Sequence, residues 1–324
     1  KGASVIGLDI EDFYFNQHLQ REIELLKFDV REILSHADRF KGVDAVIHCA
    51  AALHDSPPEL INSVNVGGTR AVLDLCLKND IPKAIFCSST VVYGYFEHEP
   101  PVTEETPTAP VHPYAVSKVK CEEEMIRYRE KGLNTCIVRP KSFIGAGRLG
   151  VFQLLCDWVM RGARVPVIGK GNNRYQLMGV SDLAEGFYRI ATLPIENETI
   201  NLGTDKFTTV KEDLEGLLAH ARTGSTLLFL PAKPVKLTLS LLGKLKLTQM
   251  WEWHYKTADR DSYVDIGKAQ RLIDWNPAQG NVDILVETYD WYVAHHEEYA
   301  RNQGLGHHGV LWRERLLRCV SKWL

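Results

Sequence analysis

Short apolar runs alternate with longer stretches of helical period through the first two thirds of the chain. Ser4–Asp9, Ile23–Asp29, Asp44–Cys49, Lys83–Ser88, Asn134–Arg139 and Glu198–Leu202 each read as a strand, and residues 59–79, 113–131 and 181–193 read as helices between them. The strand runs are almost continuously apolar instead of alternating with polar positions. A strand of that kind is buried on both faces, which predicts an α/β fold with a doubly wound parallel sheet covered by helices on each side. Past about residue 204 the alternation stops, and helical patterns follow, broken by Pro231, Pro234, Gly243 and Pro277. The expected organisation is therefore a sheet domain made of residues 1–144 and 181–203, with a smaller, mostly helical substrate lobe made of residues 145–180 and 204–324. A lobe set over the carboxyl ends of the strands leaves a ligand crevice between the two. The tail Asn302–Leu324 carries Leu311, Leu316, Leu317 and Val320 among basic residues, a pattern shared by a docking helix and a membrane-surface helix.

Composition narrows this picture by exclusion. With 324 residues, 45% hydrophobic and 24% charged, the chain has ample material for a core and is neither disordered, collagenous nor coiled coil. A formal net charge of −3 argues against a phosphate-backbone partner, so nucleic acid is not expected. The richest apolar region, Leu227–Leu247, is interrupted by prolines and lysines, so no integral membrane segment is expected. The seven cysteines are scattered, without a C-x-x-C pair, which suits reduced thiols in a cytoplasmic protein and no metal site.

The strongest chemical signal is Tyr114-Ala-Val-Ser-Lys118, directly after His112-Pro113, where a proline favours a helix start. Residues four apart share a helical face, so phenol and ammonium converge, and a fixed cation favours the phenolate that a general base must form. Of the 12 tyrosines only Tyr114 has a lysine at this spacing. A second polar cluster, Cys87-Ser88-Ser89-Thr90, ends a predicted strand, where hydroxyls reach into the crevice and Ser89 can hydrogen-bond a substrate oxygen. Asp9 ends the first strand; a carboxylate there accepts both hydroxyls of an adenosine ribose and repels a 2′-phosphate, which points to NAD. Asp29-Val30 follows the next strand and is placed to meet the adenine ring, although an aspartate after a strand also serves simply as a turn former. Cys49-Ala50-Ala51 supplies small side chains where a cofactor can approach backbone, and Gly67-Gly68, in a helix they weaken, hint at a close packing contact.

In this order the motifs resemble the extended short-chain dehydrogenase/reductases, in particular their NAD-dependent epimerase/dehydratase branch. Further matches are Asn65-Val66 with Gly68-Thr69, Val92-Tyr93-Gly94, Arg139-Pro140, Val180 with Asp182-Leu183-Ala184, Asn201-Leu202-Gly203, and Lys268-Ala269 with Asp274-Trp275-Asn276-Pro277. The resemblance implies a Rossmann-like domain and a Ser89–Tyr114–Lys118 catalytic set, in which Tyr114 is the acid/base, Lys118 holds the nicotinamide ribose and Ser89 positions the substrate. It also implies cofactor contacts from Asn65, Ser88 and Pro140, beside Asp9, Asp29, Val30, Cys49, Ala50 and Ala51. A homodimer through the helices bearing Asn65 and Tyr114 is expected on the same ground.

The expected activity is NAD-dependent hydride transfer at a secondary alcohol carbon of a small molecule, with a sugar or nucleotide sugar as the leading substrate. Candidate substrate contacts are Ser89, Ser142, Arg174, Gln176 and Arg260. Three departures temper the sugar reading: Ser142 stands where this branch often has asparagine, the run Asn173-Arg174-Tyr175-Gln176 lacks an aspartate, and only Arg260 lies near the position of a second arginine. Leu227–Pro231 and the Trp251/Trp253 pair suit either core packing or a more hydrophobic substrate, as in 3β-hydroxysteroid-dehydrogenase-like relatives. A non-catalytic dinucleotide-binding regulator is the alternative from another class, although such regulators typically lose the tyrosine or the lysine. The resemblance also leads one to expect a glycine-rich turn before the first strand. Gly2 and Gly7 are the only glycines before Gly42, so a chain lacking roughly its first 25 residues, one strand–turn–helix unit, is expected.

Overall fold

The computed structural model describes residues 2–11, 23–95, 98–244 and 255–301; the tail from Asn302 and the Trp251/Trp253 pair lie outside the described residues. The strands are β1 (Ile6–Asp9), β2 (Glu24–Lys27), β3 (Val46–His48), β4 (Lys83–Cys87), β5 (Asn134–Pro140), β6 (Phe143–Ile144), β7 (Val165–Ile168), β8 (Met178–Gly179), β9 (Thr199–Leu202) and β10 (Leu227–Leu230). The helices are α1 (Pro58–Ile61), α2 (Gly68–Lys78), α3 (Pro113–Arg129), α4 (Phe152–Met160), α5 (Val180–Thr192), α6 (Val210–Ala221), α7 (Ala232–Lys244), α8 (Gly267–Ile273) and α9 (Asn281–Arg301). A π-helical segment, Asn62–Gly67, joins α1 to α2.

The central ladder runs β3-β4-β5-β9, parallel throughout, with His48 opposite Phe86 and Cys87 opposite Val138. β1 and β2 form their own parallel pair, and among the described residues no ladder joins β1 to β3. Every residue of β4 is buried, and successive side chains serve opposite faces. Ala84 and Phe86 join one core with α2, α3 and the 3-10 segment Val30–Phe40. Ile85 and Cys87 join another with Leu183, Phe187 and Ile190 of α5 and the buried Trp275. This is the two-sided burial that the continuous apolar runs predict. The Val180–Ala184 and Asp274–Pro277 motifs meet here, because Trp275 Nε1 donates to the Asp182 carbonyl and the Asp182 carboxylate accepts the Ala278 and Gln279 N–H groups.

A third core draws on residues 144–177 and 214–292, with Leu155, Val159, Leu217, Ile284 and Tyr289 at its centre. The C-terminal part is less purely helical than expected, since Leu227–Leu230 is a strand that pairs in parallel with β7 and Leu227 packs on this core. Packing therefore accounts for Leu227, while Phe229 stays 43% exposed; a short apolar run does not betray its type by periodicity alone. The Val30–Phe40 segment also escaped the sequence pattern. Its buried Val30 explains Gly68, where a Cβ would stand 2.7 Å from the Val30 Cγ1.

Candidate active site

Two local structures bring the site together. β4 ends at Cys87, and Ser89, in extended conformation, caps the 3-10 turn Thr90–Tyr93 by accepting the Val91 N–H on its Oγ at 3.3 Å. Across from it, α3 starts at Pro113, and the His112 Nδ1 caps it by accepting the Ala115 N–H at 3.2 Å. Lys118, one turn after Tyr114, is only 2% exposed. Its Nζ donates to the Cys87 carbonyl at 2.8 Å and lies 5.6 Å from the Tyr114 ring centroid. One ammonium thus ties the tyrosine's helix to the strand end that carries Ser89. Burial works against the Lys118 charge, but attraction to Tyr114, Cys87, Cys121 and Cys49 outweighs it and holds its pKa above the ordinary lysine value.

A buried polar frame fixes these elements. Glu122, one turn beyond Lys118, accepts Arg139 Nε at 3.0 Å and Nη2 at 2.6 Å, and also the Ser88 hydroxyl at 2.5 Å. Arg139 donates to the Tyr93 hydroxyl at 2.9 Å, which donates in turn to Asn201 Oδ1 at 2.8 Å. Burial opposes the Arg139 charge, yet the Glu122 carboxylate raises its pKa above the usual arginine range. α3, β4, β5, β9 and the Ser89 turn are thereby clamped to one another. Asn65 adds a second brace by pairing with the Ala52 backbone through both amide atoms and donating to the Ser117 Oγ at 2.8 Å.

Several expected ligand contacts turn out to have structural duties. Ser88 and Asn65 spend their side chains on these braces, and Val30 is buried against Gly68. Asp29 is held by Arg31, which donates Nε at 2.9 Å and Nη2 at 2.6 Å, and this hydrogen-bonded guanidinium lowers the carboxyl pKa. The Gln176 amide is buried, donates to the Thr204 and Val264 carbonyls and accepts the Val264 N–H, so both of its donors are consumed. Asp9 stays exposed at the tip of β1, where one oxygen accepts the Glu11 N–H at 3.1 Å. Cys49 and Ala50 are exposed after β3, Ala51 is half-buried, and Pro140 is buried at the end of β5. On the other side of the sheet's carboxyl edge, Ser142 hydrogen-bonds the Tyr175 hydroxyl at 2.7 Å. The exposed Arg174 stacks 4.4 Å over the Tyr263 ring and pairs with Asp261 at 3.5 Å, and Arg260 is exposed nearby.

Four further groups border the site without having been singled out from the sequence. His54 and His112 flank Tyr114 at 6.2 and 6.1 Å between ring centroids, and burial pulls the His54 pKa down to about 4. The His112 Nε2 is buried without a hydrogen-bond partner among the described residues, and burial lowers the pKa of this ring too. Arg148 lies 4.0 Å over the Phe143 ring, close enough to Tyr114, Cys87 and Cys49 to interact with them electrostatically. Lys141, 5% exposed, donates to Ser262 Oγ at 2.8 Å, and burial draws its pKa down to about 7. Only His112 carried a sequence signal, its place before the helix-starting proline.

The donor set fits a dinucleotide in part. The Asp9 carboxylate suits a ribose diol, the Cys49–Ala51 ledge admits close approach, and the Lys118 cation beside Tyr114 suits a second ribose and proton transfer.

Comparison with known proteins bears on the same residues. The family model described as the NAD dependent epimerase/dehydratase family matches residues 1–203. The chain is 35% identical over 291 residues to the uncharacterized protein y4nG of Sinorhizobium fredii, covering 88% of this chain and 72% of that one. It is 32% identical over 210 residues to a putative UDP-glucose 4-epimerase of Methanocaldococcus jannaschii, covering 60% and 67%. The fold is shared with the crystal structure of a UDP-glucose 4-epimerase with UDP-glucose from Thermotoga maritima, at a TM-score of 0.73 and 21% identity over 90% of this chain and 92% of that one.

Proposed function

The chain belongs to the NAD dependent epimerase/dehydratase family, and from that premise we propose that it is an NAD-dependent enzyme acting on a secondary alcohol carbon of a nucleotide sugar. The observation that carries this reading is the placement of Lys118, buried, bonded to the Cys87 carbonyl and facing Tyr114 at the carboxyl end of a parallel strand. Tyr114 exchanges the alcohol proton. Lys118 stays charged throughout, with its ammonium 5.6 Å from the Tyr114 ring centroid. Because the Ser89 Oγ accepts the Val91 N–H, its own hydroxyl hydrogen is left to donate to the substrate oxygen. NAD, when bound, supplies the site for the hydride. With NAD bound, return of that hydride to the opposite face of the sugar would give an epimer with no net redox change. The substrate class is supported by relatives whose names state UDP-glucose 4-epimerase and dTDP-glucose 4,6-dehydratase activities.

The test is incubation of the full-length protein with NAD and, in turn, UDP-glucose, UDP-glucuronate, dTDP-glucose and a 3β-hydroxysterol. Conversion of a nucleotide sugar without NADH accumulation is expected. Accumulation of NADH with the sterol alone would replace this reading with that of a net dehydrogenase. A homodimer through the helices bearing Asn65 and Tyr114 belongs to the same proposal, supported by the exposed Leu60, just before the Asn65 segment, and Val116 and Ile126 on α3. Light scattering of the protein and of Val116→Asp at micromolar concentration tests it, with a dimer expected for the first and a monomer for the second. Among the described residues no helix is long and apolar enough to cross a membrane, and a cytoplasmic setting completes the proposal.

A further inference from the structure

The family chemistry described above makes no use of the two thiols at the edge of the candidate site. Continuing the β3–β4 register from His48 opposite Phe86 places Cys49 opposite Cys87. Neighbouring strands lie about 4.8 Å apart, within the Cα separations of roughly 4.4–6.8 Å that a disulfide spans. Residues opposite each other in a parallel ladder carry their side chains on the same face, so the two thiols are neighbours, and each perturbs the ionisation of the other. Two cations face them, the Lys118 ammonium and the Arg148 guanidinium.

We infer that Cys49 and Cys87 are a redox modification site, a cross-strand dithiol that a hydroperoxide closes to a disulfide and a thiol reductant reopens. The pair differs from the other described cysteines. Burial pushes Cys76 and Cys156 up to about 12 and raises Cys121 and Cys136, which keeps them as inert thiols. Cys87, although only 7% exposed, is drawn down to about 7 by the neighbouring Cys49 thiol, against burial and with help from Lys118 and Arg148. Cys49, exposed as a residue, is pushed well up by its Cys87 neighbour and by desolvation. The buried partner is therefore the nucleophile, which selects a small oxidant.

The Cys87 thiolate attacks the O–O bond of the hydroperoxide, forming S–O and expelling an alkoxide or hydroxide that takes up a proton. The Cys49 sulfur then attacks the sulfenic sulfur, S–S forms, S–O breaks, and water leaves with the Cys49 proton. Two thiols lose two electrons, and the hydroperoxide becomes an alcohol, or water, plus one further water. The product bridges the ends of β3 and β4 at the Cys49–Ala51 ledge. Resting on the cofactor reading of that ledge, the inference includes a fall in NAD affinity on closure.

The experiment treats the full-length protein with hydrogen peroxide, maps disulfide-linked peptides by mass spectrometry and titrates NAD binding before and after. The expected result is a Cys49–Cys87 cross-linked peptide that dithiothreitol removes, that is absent from Cys49→Ser and Cys87→Ser, and that accompanies about tenfold weaker NAD binding. Peroxide treatment that leaves both thiols alkylatable, or converts them only to separate sulfinic acids, would overturn the dithiol. A cross-link without change in NAD affinity would overturn its place in the ledge. Reduced protein that fails to bind NAD would instead overturn the cofactor reading, and the peptide map alone would then decide the dithiol.

Discussion

Two lysines are buried at the carboxyl edge of the sheet, and the protein treats them in opposite ways. Lys118 keeps its proton because Tyr114 and three cysteines face it and outweigh burial. Lys141 donates to the Ser262 hydroxyl and lies over the Tyr175 ring, and burial draws its pKa down to about 7. The cost of removing an ammonium from water is similar for both. What differs is the ionisable groups in reach, Tyr114 and three cysteines beside Lys118, whereas burial is the one cause acting on Lys141. The Lys118 side is thus built for a permanent cation beside a phenol, and the Lys141 side holds a cation that neutral pH can switch off.

The sharpest way to break this contrast is to delete the permanent cation. Lys118→Met is expected to lower kcat by about 10³-fold while NAD still binds measurably, because Tyr114 loses its fixed counter-charge. Equal loss from Lys141→Met would show that the two sites are not different in kind. Next, Glu122→Ala leaves Arg139 buried without its carboxylate and is expected to cost about 3–5 kcal/mol in urea denaturation. A change near zero would mean that the frame beneath Ser89 and Lys118 does not clamp them.

A third effect follows from linkage at Lys141. Between about pH 7 and the ordinary lysine value of 10.5, the folded protein has released this proton while the unfolded chain keeps it. The unfolded state binds more protons in that window, so stability rises with pH there, by at most about 1.4 kcal/mol per unit. Denaturation of wild type and Lys141→Met at pH 7 and 9 is expected to show this rise in the first and a flatter profile in the second. The smallest effect belongs to Ser262→Ala, which removes one hydrogen bond to Lys141 and is expected to cost about 1 kcal/mol in the same assay.

The same contrast explains what the sequence revealed. Tyr114 and Lys118 lie one helical turn apart, and Ser89 stands directly after a strand, so local spacing suffices to find them. The six predicted strands all form, and in β4 and β5 the continuous apolar runs write burial directly into the chain, whereas β1 and β2 are at most half-buried. The Lys141 side is assembled from residues 141–142, 174–175 and 261–263, which only the folded chain brings together. Nothing local distinguishes Gln176 as a core brace from Gln176 as a substrate contact, and Asp29 reads alike as an adenine partner and as a turn former, the role in which Arg31 holds it. Strand β10 stayed hidden because four apolar residues carry too little periodicity to reveal their type.

The central claim is that Tyr114, with Lys118 beside it, moves the proton that accompanies hydride transfer. It is tested most directly by rapid mixing of the NAD-loaded protein with the nucleotide sugar it converts, following reduced nicotinamide absorbance in wild type and Tyr114→Phe at equal NAD occupancy. The account predicts transient NADH in the wild type and a rate at least about 10²-fold slower in Tyr114→Phe. Reduction at the same rate in both would contradict it.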